Sequence, residues 1–278
     1  MSNHLVIVGK RSYCVGKQLG ETENYRLYKV STDELETPFV LKVASDAALN
    51  GSLDREAFLL KQMREHALSL EKEFSRKYPG KCLNYQLAFP HVIESFVVAE
   101  QGGRRVLVME IEAVEALEML VPLSMIRTCD RVRVDLKTAA WVLGKSLKIL
   151  AFAHDYGISF GNISGDDIVV DREDHSVMFF DWSHATRVSG GGELSKESVH
   201  QEMYMLAREI VLVLGGNPNT FTIPESIDDP DVRFQEFVLK LSRGKYASAS
   251  LAHKDFYQMV EVMWGRKFHP YTSIPLST

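Results

Sequence analysis

The sequence predicts an α+β protein of two lobes, a small strand-rich lobe carrying one helix followed by a mainly helical lobe. Three observations predict it. The first third of the 278 residues is a succession of short β-branched or aromatic runs, HLVIV, SYCVGKQL, NYRLYKV and PFVLKVA, broken by Gly, Pro or acidic turns. One helical pattern then returns at Ala57, Leu60, Met63 and Ala67. After Glu112 the alternation gives way to long apolar-periodic stretches.

The elements follow in order. Glu36-Thr37-Pro38, between Leu35 and Phe39, reads as a hairpin turn, and Asp54 reads as a cap or first-turn residue of the first helix. The strands HVIESFVVAE and RRVLVMEIE flank a turn at Gln101-Gly102-Gly103. A link over residues 110–122 leads to an amphipathic helix through Ala139, Leu143, Leu147 and Leu150, which ends near Tyr156-Gly157, where Gly supplies the cap. A second helix spans about Gln201 to Leu214 and stops at Gly215-Gly216-Asn217-Pro218. Two further helical stretches cover Phe234 to Leu241 and Phe256 to Trp264.

Composition excludes several classes. A net charge of −5 offers no basic field for nucleic acid, and Lys61, Arg64, Lys72, Arg76 and Lys77 alternate with Glu65, Glu71 and Glu73 as on a solvated helix face. The three cysteines, Cys14, Cys82 and Cys129, form neither a disulfide framework nor a CxxC site. The first residues lack the apolar length of a signal segment, and no run has membrane-spanning length. The expectation is a cytoplasmic protein with no membrane and no nucleic-acid partner.

The candidate site residues are few and ordered. Lys42 lies among apolar neighbours in FVLKVA, and Glu56 follows on the first helix. Farther on, GISFGNISGDDIVV carries Asn162, Asp166 and Asp167, and FFDWS carries Asp181. A strand lysine held by a helix carboxylate, followed by two acidic residues, is the set that phosphate and a hard cation require. Such sites favour the crevice between lobes.

On these residues the sequence resembles the protein-kinase-like superfamily from about Tyr13 to Leu214 and on toward the end. The resemblance implies a bilobal kinase-like fold, with an N-lobe at residues 1–112, a C-lobe at 113–278 and a hinge near 110–114. FVLKVA is similar to the V-A-I-K strand, with Lys42 as the phosphate-contacting lysine and Glu56 as its partner. LVMEIE resembles the strand entering the hinge, with Met109 at the gatekeeper position and Glu110 opening the hinge. Gly20, Val40, Lys42, Glu56, Met109, Glu110 and Val169 are thereby the implied nucleotide-binding set, and Asp167 and Asp181 the implied metal ligands. ATP or another nucleotide with Mg²⁺ or Mn²⁺ is the implied cofactor. EMYMLA resembles the start of the buried C-lobe helix, with Glu202 where kinases usually have Asp. DWS, VLGGNP and WGRKFHPY are similar to a group of bacterial kinase-fold proteins with an altered catalytic loop and a DW(S/C) motif in place of D-F-G.

The chain departs from the family pattern at the positions that transfer phosphate. Asn162 stands at the place of the catalytic Asp and has no titratable carboxylate to act as base. Ser164 stands where many kinases carry a lysine. Asp166 is an alternative, displaced base, although a solvated turn residue accounts for it as well. Asp167 in place of Asn still suits a hard cation. In LGETENYRLYKV only Gly20 remains of the glycine-rich loop, and Tyr25 is placed to cover or occupy the site. The activation segment is short and lacks A-P-E, leaving little platform for peptides. Phe160 and Trp182 replace the loop histidine and the D-F-G phenylalanine, which keeps apolar packing.

The sequence therefore favours a pseudokinase, a regulatory or scaffolding module that binds nucleotide and an unknown protein partner, over an active serine/threonine kinase. The alternatives are an atypical phosphotransferase on a small molecule or one dedicated protein, and an interaction module that binds no nucleotide. His154, His175 and His184 match no zinc spacing and read as solvated histidines. The acidic run Ser226 to Asp231 reads as a turn, Ser189, Ser195 and Ser198 as solvating residues, and Phe268, Pro270 and Tyr271 as a tail docked on the helical lobe.

Overall fold

The structure is a computed structural model that describes residues 5–32, 39–112, 114, 116–188, 192–224, 232–265 and 267–276. The expected turn at Glu36–Pro38, the run Ser226–Asp231 and Ser189 lie outside the described residues. The chain divides into two compact units, Met1–Leu117 and Glu118–Thr278.

The first unit is built on antiparallel strands β1 (Leu5–Val8), β2 (Ser12–Glu21), β3 (Tyr25–Ser31), β4 (Phe39–Ala44), β5 (His91–Val98) and β6 (Arg104–Glu110), ordered β1-β2-β3-β4-β6-β5. Because side chains alternate along a strand, Phe39, Leu41 and Val43 of β4 join Val106 and Val108 of β6, with Ile7, Tyr13, Val30 and Val98, in one buried cluster. The alternate residues of β4 face the other way. Helix α1 (Asn50–Lys77) packs against β5 and β6 through Leu53, Ala57, Leu60, Met63 and Ala67, all buried. It begins earlier than expected. A short turn of 3₁₀ helix at Ala47–Leu49 leads into it, capped by the Asp46 carboxylate, which accepts from the Ala48 N–H at 2.8 Å. Asp54 therefore lies past the first turn, and it pairs with Arg105 at 3.1 Å instead of capping.

The second unit contains more short elements than the sequence suggested. Strand β7 (Leu120–Pro122) runs directly into helix α2 (Leu123–Thr128), followed by β8 (Val132–Val134) and the buried helix α3 (Leu136–Asp155). Next come β9 (Ile158–Ser159), β10 (Ile168–Asp171), β11 (Val177–Phe179) and β12 (Thr186–Arg187). Helices α4 (Lys196–Val213), α5 (Val232–Ser242) and α6 (Ala249–Trp264) follow, and the small strand β13 (Ser273–Pro275) ends the described chain. α3 packs on α4 and α6, and β10 is the middle strand between β11 and β7. Ser195 caps α4 by accepting the Ser198 N–H at 3.1 Å, so both serines have a structural task.

The tail docks within this unit. β13 pairs with β8, and His269 Nε2 lies 2.7 Å from Asp135 Oδ2. Asp135 is also the N-cap of α3, its other oxygen accepting from the Thr138 N–H at 2.8 Å. Phe268 stacks on His175 with centroids 4.5 Å apart, and His175 stacks in turn on Trp141 at 4.8 Å. His175 is thus a member of a three-ring stack rather than a solvated turn residue.

Candidate functional site

In the first unit, strand register assembles the site. Gly20 opposes Leu27, Leu27 opposes Lys42, and Lys42 opposes Leu107; one row along, Val40 opposes Met109. Gly20, Val40, Lys42 and Met109 therefore share one face of the sheet. Tyr25, two residues before Leu27, shares it as well. Glu110 does not: alternation turns it to the opposite face, beside its cross-strand partner His91.

Lys42 is 0% exposed, and a buried ammonium requires a counter-charge. α1 supplies it. Glu56, also 0% exposed, holds the ammonium through both oxygens, Nζ to Oε1 at 2.9 Å and to Oε2 at 2.8 Å. The ammonium also lies 3.8 Å from the centroid of the Tyr25 ring. At the tip of the β2–β3 hairpin, the Thr22 hydroxyl accepts the amides of Asn24 and Tyr25, each at 3.2 Å. The Thr22 amide donates to Tyr25 O at 2.9 Å, and the Asn24 carbonyl accepts the Ser45 N–H at 2.9 Å.

His91, Glu110 and Glu112 form a separate acid and imidazole cluster, with Nδ1 at 3.4 Å from Glu110 Oε2 and 3.0 Å from Glu112 Oε1. The Arg64 guanidinium sits 2.7 Å from that same Glu112 oxygen. The guanidinium thereby balances the charge of Glu112.

In the second unit, α3 ends at Asp155, and Gly157, just past the C-cap Tyr156, has a φ of +68° that suits glycine. The loop that follows is tied to α4 by Glu202, 1% exposed, which accepts the Gly161 N–H at 2.8 Å and the Ser159 hydroxyl, with His154 Nε2 at 2.7 Å. His154 is thus a buried anchor and not a solvated histidine. Gly161 has φ +93°, and a Cβ there would lie 2.7 Å from His184 O, so this bend admits only glycine. His184 is exposed, as is Asn162.

Asp167 and Asp181 are buried, 8% and 6% exposed. Asp167 Oδ2 accepts the Ser164 amide at 2.8 Å and its hydroxyl at 2.7 Å, and Asp181 Oδ1 accepts the Ser183 N–H at 3.0 Å. Burial pushes the Asp167 carboxyl up to about 7; the Ser164 hydrogen bond opposes this, and the charges of Asp181 and Asp166 add to it. Two buried carboxylates, one of them adding to the other's raised proton affinity, are an oxygen donor set suited to a hard divalent cation. Asp166 is exposed and accepts the Ser124 hydroxyl. Val169 lies in the middle strand β10, paired with Met178 and Pro122. Phe160, Phe179 and Trp182 form a buried edge-to-face cluster, centroids 4.9–5.0 Å apart, and Trp182 Nε1 donates to Phe179 O at 2.7 Å.

Sequence reasoning assigned no role to His154 and Ser159 beside Glu202, or to Ser124 beside Asp166. Their partners lie tens of residues away, and no local signal announces such pairs.

No protein-family profile matches the sequence, and no curated protein matches it. Solved structures do. The structure of vaccinia related kinase 3 aligns with a TM-score of 0.61 over 94% of this chain and 91% of that one, at 13% sequence identity. At that identity the likeness is one of fold. With the antiparallel sheet and single long helix of the first unit and the helical second unit, it gives the chain a bilobal protein-kinase-like fold.

Proposed function

We propose that the chain is a pseudokinase, a kinase-fold protein that holds ATP or a related nucleotide with Mg²⁺ and acts through conformation and partner binding. The observation that carries this reading is the divided state of one loop. Its transfer position holds Asn162, while Asp167 keeps a buried carboxylate with Asp181 adding to its raised proton affinity. The cation, when bound, supplies charge neutralisation for phosphate oxygens. The chain's own residues do the rest: Asp167 and Asp181 bind through oxygen, Glu56 orients the Lys42 ammonium, and Ser164 fixes one oxygen of Asp167.

A displaced-base phosphotransferase is the weaker reading. The one candidate base, Asp166, accepts a hydrogen bond from Ser124, and Ser164 directs its hydroxyl to Asp167. In the same proposal the lobes are residues 1–112 and 113–278 with a hinge at 110–114. The setting is cytoplasmic, in keeping with three free cysteines, and the DWS, VLGGNP and WGRKFHPY motifs resemble those of bacterial DW(S/C) kinase-fold proteins.

A thermal-shift titration tests the proposal. Millimolar ATP with Mg²⁺ raises Tm of the wild type by several degrees through linkage, and Lys42→Ala or Asp181→Ala reduces the shift. Absence of any shift in the wild type sinks the nucleotide reading. ATP turnover above background that depends on Asp181 sinks the pseudokinase reading in favour of a phosphotransferase.

A further inference from the structure

We infer that the β2–β3 hairpin is a built-in gate on Lys42, with Tyr25 as its moving part, so that only phosphate-bearing ligands meet a conformational cost at this site. The inference rests on the nucleotide reading above and concerns how that site is regulated.

The geometry is local to the first unit. Register sets Tyr25 on the same sheet face as Lys42, and the ring, 5% exposed, lies 3.8 Å from the ammonium. The face of an aromatic ring carries partial negative charge and attracts a cation. The ring thus stands where an anionic oxygen approaching the ammonium would stand, on a lysine whose carboxylate partner already takes two of its hydrogen bonds.

The hairpin tip is closed in the same sense. Backbone amides at such a tip bind phosphate when they point outward. Here the amides of Asn24 and Tyr25 are turned to the Thr22 hydroxyl, and the Thr22 amide to Tyr25 O. The Asn24 carbonyl, held by Ser45, pins the tip to the end of β4. An anion reaching Lys42 must displace the ring and open the Thr22 turn together, because Tyr25 belongs to both. Occupancy is thereby converted into a rearrangement of an exposed tip, Thr22 and Glu23, that a partner can read. The apparent affinity for phosphate-bearing ligands is the intrinsic affinity reduced by the open fraction. A ligand without phosphates does not meet this cost.

Calorimetric titration of MgATP and of adenosine into wild type, Tyr25→Phe, Tyr25→Ala and Thr22→Ala tests the gate, with Tm as the check on folding. Tyr25→Ala is expected to bind MgATP about tenfold tighter than wild type, the scale of a desolvated cation–π contact, with adenosine unchanged. Tyr25→Phe keeps the ring face and is expected to match wild type. Thr22→Ala leaves the ring and frees the amides, so a gain of a few-fold is expected; it decides the matter if Tyr25→Ala does not fold. MgATP affinity that is unchanged in both Tyr25→Ala and Thr22→Ala overturns the gate and leaves the nucleotide reading standing. An equal gain for adenosine also overturns it, since Tyr25 would then shape the whole pocket. If no form binds either ligand, the nucleotide reading fails and the gate with it.

Discussion

Asn162 and Asp167 share one loop, and their surroundings give them opposite chemistry. Asn162 is exposed and carries no titratable group, whereas Asp167 is buried and takes up a proton near neutrality. The second fact has a measurable consequence. An acid whose native pKa is raised keeps its proton in the folded chain at a pH where the unfolded chain has released it. Stability therefore falls as pH rises from the ordinary value of 3.8 toward about 7. In the presence of a chelator, Asp167→Asn should remove about 2 kcal/mol of the stability change across a pH window ~1.5 units wide below 7, read by urea unfolding of both forms. Mg²⁺ should flatten the wild-type slope by competing with the proton. The acidic character of this site was legible, because an Asp entering a β-branched run and another behind apolar residues are local signals. The raised proton affinity was not legible, because it comes from burial and from a second carboxylate fourteen positions on.

The loop owes its shape to a helix rather than to itself. Glu202 of α4 gathers Gly161, Ser159 and His154, and Gly161 bends where a side chain would strike His184 O. Removing the collector leaves the buried Ser159 hydroxyl and His154 ring, and the Gly161 amide, without it. Glu202→Ala is expected to cost about 3 kcal/mol, seen as a lower urea midpoint at unchanged m. Gly161→Ala should cost about 2 kcal/mol through backbone strain and contact. An Ala variant at exposed Asn162 should change stability by less than about 0.5 kcal/mol. Elements with long periodicity, such as α3, were readable from the spacing of Leu143, Leu147 and Leu150. The start of α1 was misplaced because Asp46 caps a preceding 3₁₀ turn, which leaves no helical period to detect. The short strands β7 and β8 escaped for the same reason, since three residues do not establish alternation.

At the scale of the whole chain, the change from strand to helix after the first third was enough to foresee an α+β bilobal fold, because composition and period change together there. The tail was foreseen as docked, but its importance was hidden in partners 134 positions away. His269 reaches Asp135, the Asp135 amide donates to Thr272 O at 3.1 Å, and the Thr272 amide donates to Thr138 Oγ1 at 3.0 Å. The last residues thus complete the start of the central helix of their unit. Deleting residues 267–278 should lower Tm by several degrees, measured against the full chain. The practical reach of this is in interaction mapping. A truncation series that trims the C-terminus and scores lost pull-down would report a collapsed α3 as though it were a missing epitope. Point changes on the exposed faces of an intact chain are the safer way to find what this protein touches.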